Sequence, residues 1–99
     1  MKTVELTESN ATLRLEGSES TRSMDIKQVT VKKWPASGES LKLIVLDEKD
    51  IPIYSQLLEP SQAPEDNIIT IDKRFVFYDH LSVQLEANAS PFSVIIHFE

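Results

Sequence analysis

The chain has 99 residues and no cysteine, with 40% hydrophobic residues, 26% charged residues and a net charge of −6. That length suits one domain with a modest core. The missing cysteine excludes a disulfide scaffold, a thiolate zinc site and a cysteine nucleophile, and fits assembly in a reducing compartment. The charge is uneven: residues 1–50 hold eight basic and nine acidic side chains, and residues 51–99 hold two and seven. An acidic surface repels a phosphate backbone, so no nucleic-acid partner is expected. No run approaches the ~20 apolar residues of a membrane-crossing helix, and Met1-Lys2-Thr3-Val4-Glu5-Leu6 lacks a signal-peptide core. A cytoplasmic site of synthesis and no membrane partner are therefore expected, and the sequons at Asn10 and Asn88 have no evident route to glycosylation.

In chain order, residues 1–10 carry one weak apolar pattern, Val4 and Leu6, and read as an edge strand or an N-terminal arm. Ala11–Leu15 alternates as a short strand, and Gly17-Ser18-Glu19-Ser20 is a loop. Met24–Lys33 reads as a longer strand whose phase slips. Met24 and Ile26 share one parity while Val29 and Val31 share the other, which predicts a β-bulge near Lys27-Gln28. Trp34 to Ser40 is a loop by composition. Leu41–Leu46 is apolar at both parities apart from Lys42, as in a central strand covered on both faces. Asp47-Glu48-Lys49-Asp50 predicts a hairpin turn into Ile51–Tyr54, and Pro52 marks that strand as an edge. Gln56 to Asn67 reads as irregular, with Leu57 and Leu58 in a short helical turn.

The remaining third is patterned with period two. Ile69, Ile71, Phe75, Phe77, Leu81, Val83 and Leu85 alternate within their runs, as do Phe92, Val94, Ile96 and Phe98. The runs predict strands at Ile68–Asp72, Arg74–Tyr78, His80–Glu86 and Phe92–Phe98, with a break at Tyr78-Asp79 that is either a loop or a kink. Matching the last two apolar faces in a hairpin with the four-residue loop Ala87-Asn88-Ala89-Ser90 pairs Leu81 with Ile96, Val83 with Val94 and Leu85 with Phe92, and sets His80 opposite His97; a slip of two residues keeps the apolar match and sets His97 opposite Ser82. The whole predicts an all-β fold: one antiparallel β-sandwich spanning 1–99, of about eight short strands, with jelly-roll and immunoglobulin-like strand orders both open.

Candidate chemistry is sparse. Paired imidazoles at His80 and His97 are the candidate metal ligands or pH switch, with Asp79 or Glu99 as a third ligand; the plain alternative is two histidines with no special role. Trp34, beside Pro35, is a candidate interface anchor or a cap folded onto the sandwich. No nucleophile elbow, phosphate loop or acid–base pair of carboxylates is present, so no catalytic residue and no cofactor is expected.

The segment from Ile69-Thr70-Ile71-Asp72 through Phe77-Tyr78-Asp79-His80-Leu81-Ser82-Val83-Gln84-Leu85 to Phe92–Glu99 resembles the C-terminal part of small tailed-phage virion proteins. Those chains close with an aromatic-x-Asp-Gly-Leu-x-Val segment, a short loop and a last strand; here His80 stands at the glycine position. The resemblance implies a capsid cement or decoration protein of the virion. It implies a homo-oligomer, with a trimer favoured, and the major capsid protein or another virion protein as partner. Trp34, Pro35, Ile51, Ile53, Tyr54, Leu57 and Leu58 are then the candidate partner-binding residues, with the N-terminal arm beside them. The rival classes are a carbohydrate- or peptide-binding β-sandwich module and a small accessory subunit of a cellular complex.

Overall fold

Alternation along the chain sorts its residues onto two inner faces that meet. In the computed structural model, which describes residues 2–19, 22–35, 39–59, 67–87 and 91–99, eight strands form. They are β1 (Lys2–Thr7), β2 (Thr12–Glu16), β3 (Ser23–Lys33), β4 (Leu41–Leu46), β5 (Pro52–Leu58), β6 (Ile68–Val76), β7 (His80–Ala87) and β8 (Ser93–Phe98). They build two four-stranded antiparallel sheets, ordered β1-β8-β3-β6 and β2-β7-β4-β5. The fold is therefore an all-β antiparallel sandwich. Strand pairs β1–β8, β2–β7, β3–β6 and β4–β5 are all present, so the chain is one long ribbon folded at the β4–β5 turn and rolled into two layers.

The core lies between the layers. Leu6, Met24, Ile26, Val29, Val31, Leu41, Leu43, Val45, Leu58, Leu81, Val83, Val94 and Ile96 are buried essentially completely, and belong to one apolar cluster. Each such side chain is worth about 1.5–3 kcal/mol relative to exposure. β4, central in its sheet, also buries Ile44 on the outer face, in keeping with its two-sided apolar pattern.

Local expectations meet the structure in detail. The phase slip in β3 is a register shift between Ile26 and Gln28 against both β6 and β8. The β4–β5 turn is closed by Asp47. Its backbone N–H donates to the Ile51 carbonyl at 3.0 Å, and its carboxylate accepts from the Lys49 and Ile51 amides at 2.9 and 3.0 Å. Asp50 takes the left-handed conformation there, at φ 59°, which Asp tolerates. β5 is the edge that Pro52 predicts. Residues 2–10 supply an edge strand and not a free arm, because Leu6 is fully buried and β1 pairs along its length with β8.

Three expectations are corrected and one open choice is decided. Leu57 and Leu58 are strand, not helix, because Lys42 and Leu41 pair with them. Ile68 to Val76 is one strand, bent where Asp72 takes φ 51°, and not two. The break at Tyr78-Asp79 is a loop that carries the chain from one sheet to the other, as β6 and β7 lie in different layers. For the same reason β7 and β8 do not form a hairpin: β7 pairs with β2 and β4, and β8 with β1 and β3. Their apolar faces do share one core, but from opposite layers. Of the expected loop, Ala87 ends β7, and residues 88–90 lie outside the described residues.

Candidate functional site

The layer change between β7 and β8 separates the two histidines. His80 stands opposite Glu16 of β2, and its Nδ1 shares a 3.0 Å hydrogen bond with the Asp79 carboxylate. His97 stands between Thr3 and Gln28, and its Nε2 shares a 2.9 Å hydrogen bond with Thr30 Oγ1. They are not cross-strand partners, which corrects the pairing expected of them. Among the described residues no group of three or more His, Asp or Glu side chains is placed to hold a metal ion.

Trp34 follows β3 and turns inward. It is half-buried against the core, and its indole Nε1–H donates to Asn67 Oδ1 at 3.3 Å. Pro35 beside it is buried. The pair closes one part of the sandwich, the cap alternative of the two readings. Leu58 is fully buried by β4, so its side chain offers nothing to a partner. Tyr54 faces inward as well: its ring meets Phe75 of the other sheet at 5.5 Å between centroids, and its hydroxyl donates to Gln56 Oε1. Burial holds the Tyr54 phenol above its ordinary pKa.

What remains exposed of the expected set is a row. Ile51, Ile53 and Leu57 keep 53, 47 and 48% of their surface open. Alternation explains this: Tyr54, Gln56 and Leu58 turn toward the core, so Ile53, Ser55 and Leu57 turn out. Two further exposed apolar residues, Val76 and Tyr78, lie at the end of β6 and in the loop after it, where the Arg22 guanidinium sits 4.6 Å above the Tyr78 ring. Sequence pattern alone missed this second patch, since Val76 has the wrong parity for the core and Tyr78 stands beside the layer-crossing loop.

Leu57 also borders an open groove of about 620 Å³ at the start of β4 and the end of β7. Its apolar floor includes Leu41, Leu85 and Phe92, and Glu8, Lys42 and Glu86 stand around it. Glu8 is held in place by accepting a hydrogen bond from the Phe92 amide at 3.1 Å. On the opposite layer Glu5 accepts from Ser93 Oγ at 2.5 Å and pairs with Lys32 at 3.3 Å. Those two partners hold the Glu5 carboxyl below the usual carboxylate range, the Ser93 hydrogen bond first.

No protein-family model matches the chain, and no curated protein sequence matches it. Solved structures do. The core of Drosophila NLP, a structure described as giving insight into pentamer formation and histone binding, aligns with a TM-score of 0.64 at 21% identity. The match covers 99% of this chain and 96% of that one. A chain of the acid-stable capsid of Helicobacter pylori bacteriophage KHP30 aligns with a TM-score of 0.50 at 12% identity, covering 96% of this chain and 87% of that one. At these identities the likeness is one of fold.

Proposed function

We propose that this chain is a non-catalytic structural protein that works through self-association and through docking on a larger particle. Its finer form is a jelly-roll capsid decoration protein of a phage, present in the virion and bound to the major capsid protein or another virion protein. The observation that carries the reading is the exposed apolar row of Ile51, just before the edge strand β5, and Ile53 and Leu57 on it. Exposed apolar residues gathered on one sheet edge favour contact with another protein. The fold likeness to the phage KHP30 capsid chain, over nearly the whole length of both, adds support. The rolled pairing of β1 with β8 through β4 with β5 is the reason to read the sandwich as a jelly roll. Copy number is the quantity to measure: three follows the virion resemblance, five follows the Drosophila core.

A second reading has its own support. The Drosophila neighbour binds histones, and this chain carries a net charge of −6; an acidic oligomer that holds a basic protein fits both. A carbohydrate module, which would use Trp34, Tyr54 or an open sheet face, is favoured less, because both aromatic rings pack against the core.

The test is sedimentation of the tagged protein from lysate of its native source, with mass spectrometry of what travels with it. Migration with a megadalton particle rich in one shell protein supports the decoration reading. Migration with a basic protein in a small complex overturns it in favour of the second.

A further inference from the structure

The four edge strands are not alike. β1 carries Lys2 and Glu5, β2 carries Arg14 and Glu16, and β6 carries Asp72, Lys73 and Arg74. β5 carries no charged residue from Pro52 to Leu58. Free edges are ordinarily guarded by charges, prolines and bulges, which stop one sheet from adding to another. β5 keeps such guards only at its start, where Pro52 stands and where the ladder to β4 slips around Ile53. From Tyr54 to Leu58 its pairing with β4 is regular, and among the described residues no strand pairs with its outer edge.

The strand also reads nearly the same in both directions about its middle. Ile53-Tyr54-Ser55-Gln56-Leu57 has apolar ends exposed to nearly equal degree, 47 and 48%. It has inward polar-tipped side chains next to them and an exposed serine at the centre. We infer that β5 is a two-fold self-docking edge, which pairs antiparallel with β5 of a second copy about an axis at Ser55. This inference rests on the proposal of self-association and names the surface that would carry it.

The register follows from the palindrome. Ser55 faces Ser55 of the second copy, Ile53 faces Leu57 twice, and Tyr54 faces Gln56 twice. Every apolar residue meets an apolar one and every polar residue a polar one, and cross-strand pairs of this kind stabilise a sheet. Two sheets ordered β2-β7-β4-β5 then join at β5 into one continuous sheet. Charge selects the same edge. A second copy of a chain with net charge −6 is repelled at long range, so a self-contact is favoured where no charge has to be desolvated; the charges of β1 and of β2 balance, but β5 alone of the four edge strands carries none. An isologous contact closes as a dimer alone, or joins two rings if the chain also forms one.

The chain has no cysteine, which makes single-cysteine crosslinking a clean test. Residues directly opposite in an antiparallel pair have Cα atoms ~4.5–5.5 Å apart, within disulfide range. Ser55→Cys is therefore expected to give a disulfide-linked species of about twice 11.2 kDa under mild oxidation. Ser9→Cys, in the exposed turn after β1, is the control that does not. Ile53→Cys alone is expected to stay uncrosslinked, while a mixture of Ile53→Cys with Leu57→Cys forms the mixed dimer. Ser55→Lys, on an exposed position, sets two lysines face to face and should weaken dimerisation by about tenfold or more, with the melting temperature of the monomer unchanged. Crosslinking of Ser55→Cys no faster than Ser9→Cys overturns the inference. If the unmodified chain still sediments as an oligomer, only the surface assigned here is wrong. If it sediments as a monomer at every concentration, the self-association reading fails with it.

Discussion

Gly17→Ala is expected to be costly for a reason visible only in three dimensions. Gly17 follows β2, and its N–H donates to the Asp79 carbonyl at 2.7 Å, tying that turn to the loop between β6 and β7. A β-carbon at this position would fall inside van der Waals contact with the Tyr78 carbonyl oxygen and lie 2.9 Å from the Asp79 carbonyl oxygen. Both obstacles are backbone, so no side-chain rotation relieves them. Overpacking of this kind costs about 1–3 kcal/mol, and stretching the hydrogen bond adds about 0.5–1.5 kcal/mol. The stiffer unfolded chain returns roughly 0.4–1 kcal/mol. A net loss of about 0.5–4 kcal/mol follows, centred near ~2 kcal/mol, out of a total of ~5–15 kcal/mol for a domain of this size. At roughly 4–8 °C per kcal/mol the melting temperature drops by about 5–20 °C, read by circular dichroism, and Gly17→Val drops further than Gly17→Ala. A Gly17→Ala protein that melts within about 2 °C of the parent, or above it, refutes the close-approach reasoning.

Other outcomes are as definite. Asp47→Ala removes the acceptor of the Lys49 and Ile51 amides and should cost about 1–2 kcal/mol in urea unfolding, with Asp47→Asn retaining most of it. Leu81→Ala opens a cavity in the fully buried face of β7 and should cost about 2–5 kcal/mol. The Glu5 carboxyl is held low, so its contribution is present above its unfolded pKa and is lost as pH falls through the lower folded value. Ser93→Ala should shrink that acid-side loss in a pH series of melting temperatures. The Tyr54 phenol is raised by burial, so its contribution is present below about pH 10 and is lost as pH rises through the folded value. Tyr54→Phe should flatten that alkaline limb. With His80 and His97 in different layers, added Zn²⁺ should give no rise in melting temperature that His97→Ala abolishes.

Residue parity made the strands legible. It located β4 from Leu41 to Leu46, the bulge in β3 from the slip between Ile26 and Val29, and the edge status of β5 from Pro52. Parity states which face a residue joins, but not which strand lies beside it. Leu81, Val83 and Leu85 satisfy their apolar demand equally by pairing with β8 or by facing it across the core, and the second is what occurs. The His80–His97 pairing was lost with that choice. The partner-binding set divided for a related reason. Ile51, Ile53 and Leu57 turn outward along an edge, whereas Leu58, Pro35 and most of Trp34 are drawn inward by neighbours distant in sequence, Leu41 and Asn67 among them. The near-palindrome about Ser55 is present in the sequence itself, but it acquires meaning only with β5 at the edge of its sheet and without charge.

The most direct test of the whole account is the mass of the purified chain in solution by sedimentation equilibrium across a wide concentration series, for the parent and for Leu57→Glu. A protein that acts through its exposed β5 edge should weigh a multiple of 11.2 kDa and fall to about half that mass in the variant. A parent that stays at 11.2 kDa throughout, or an oligomer that Leu57→Glu leaves intact, would contradict it.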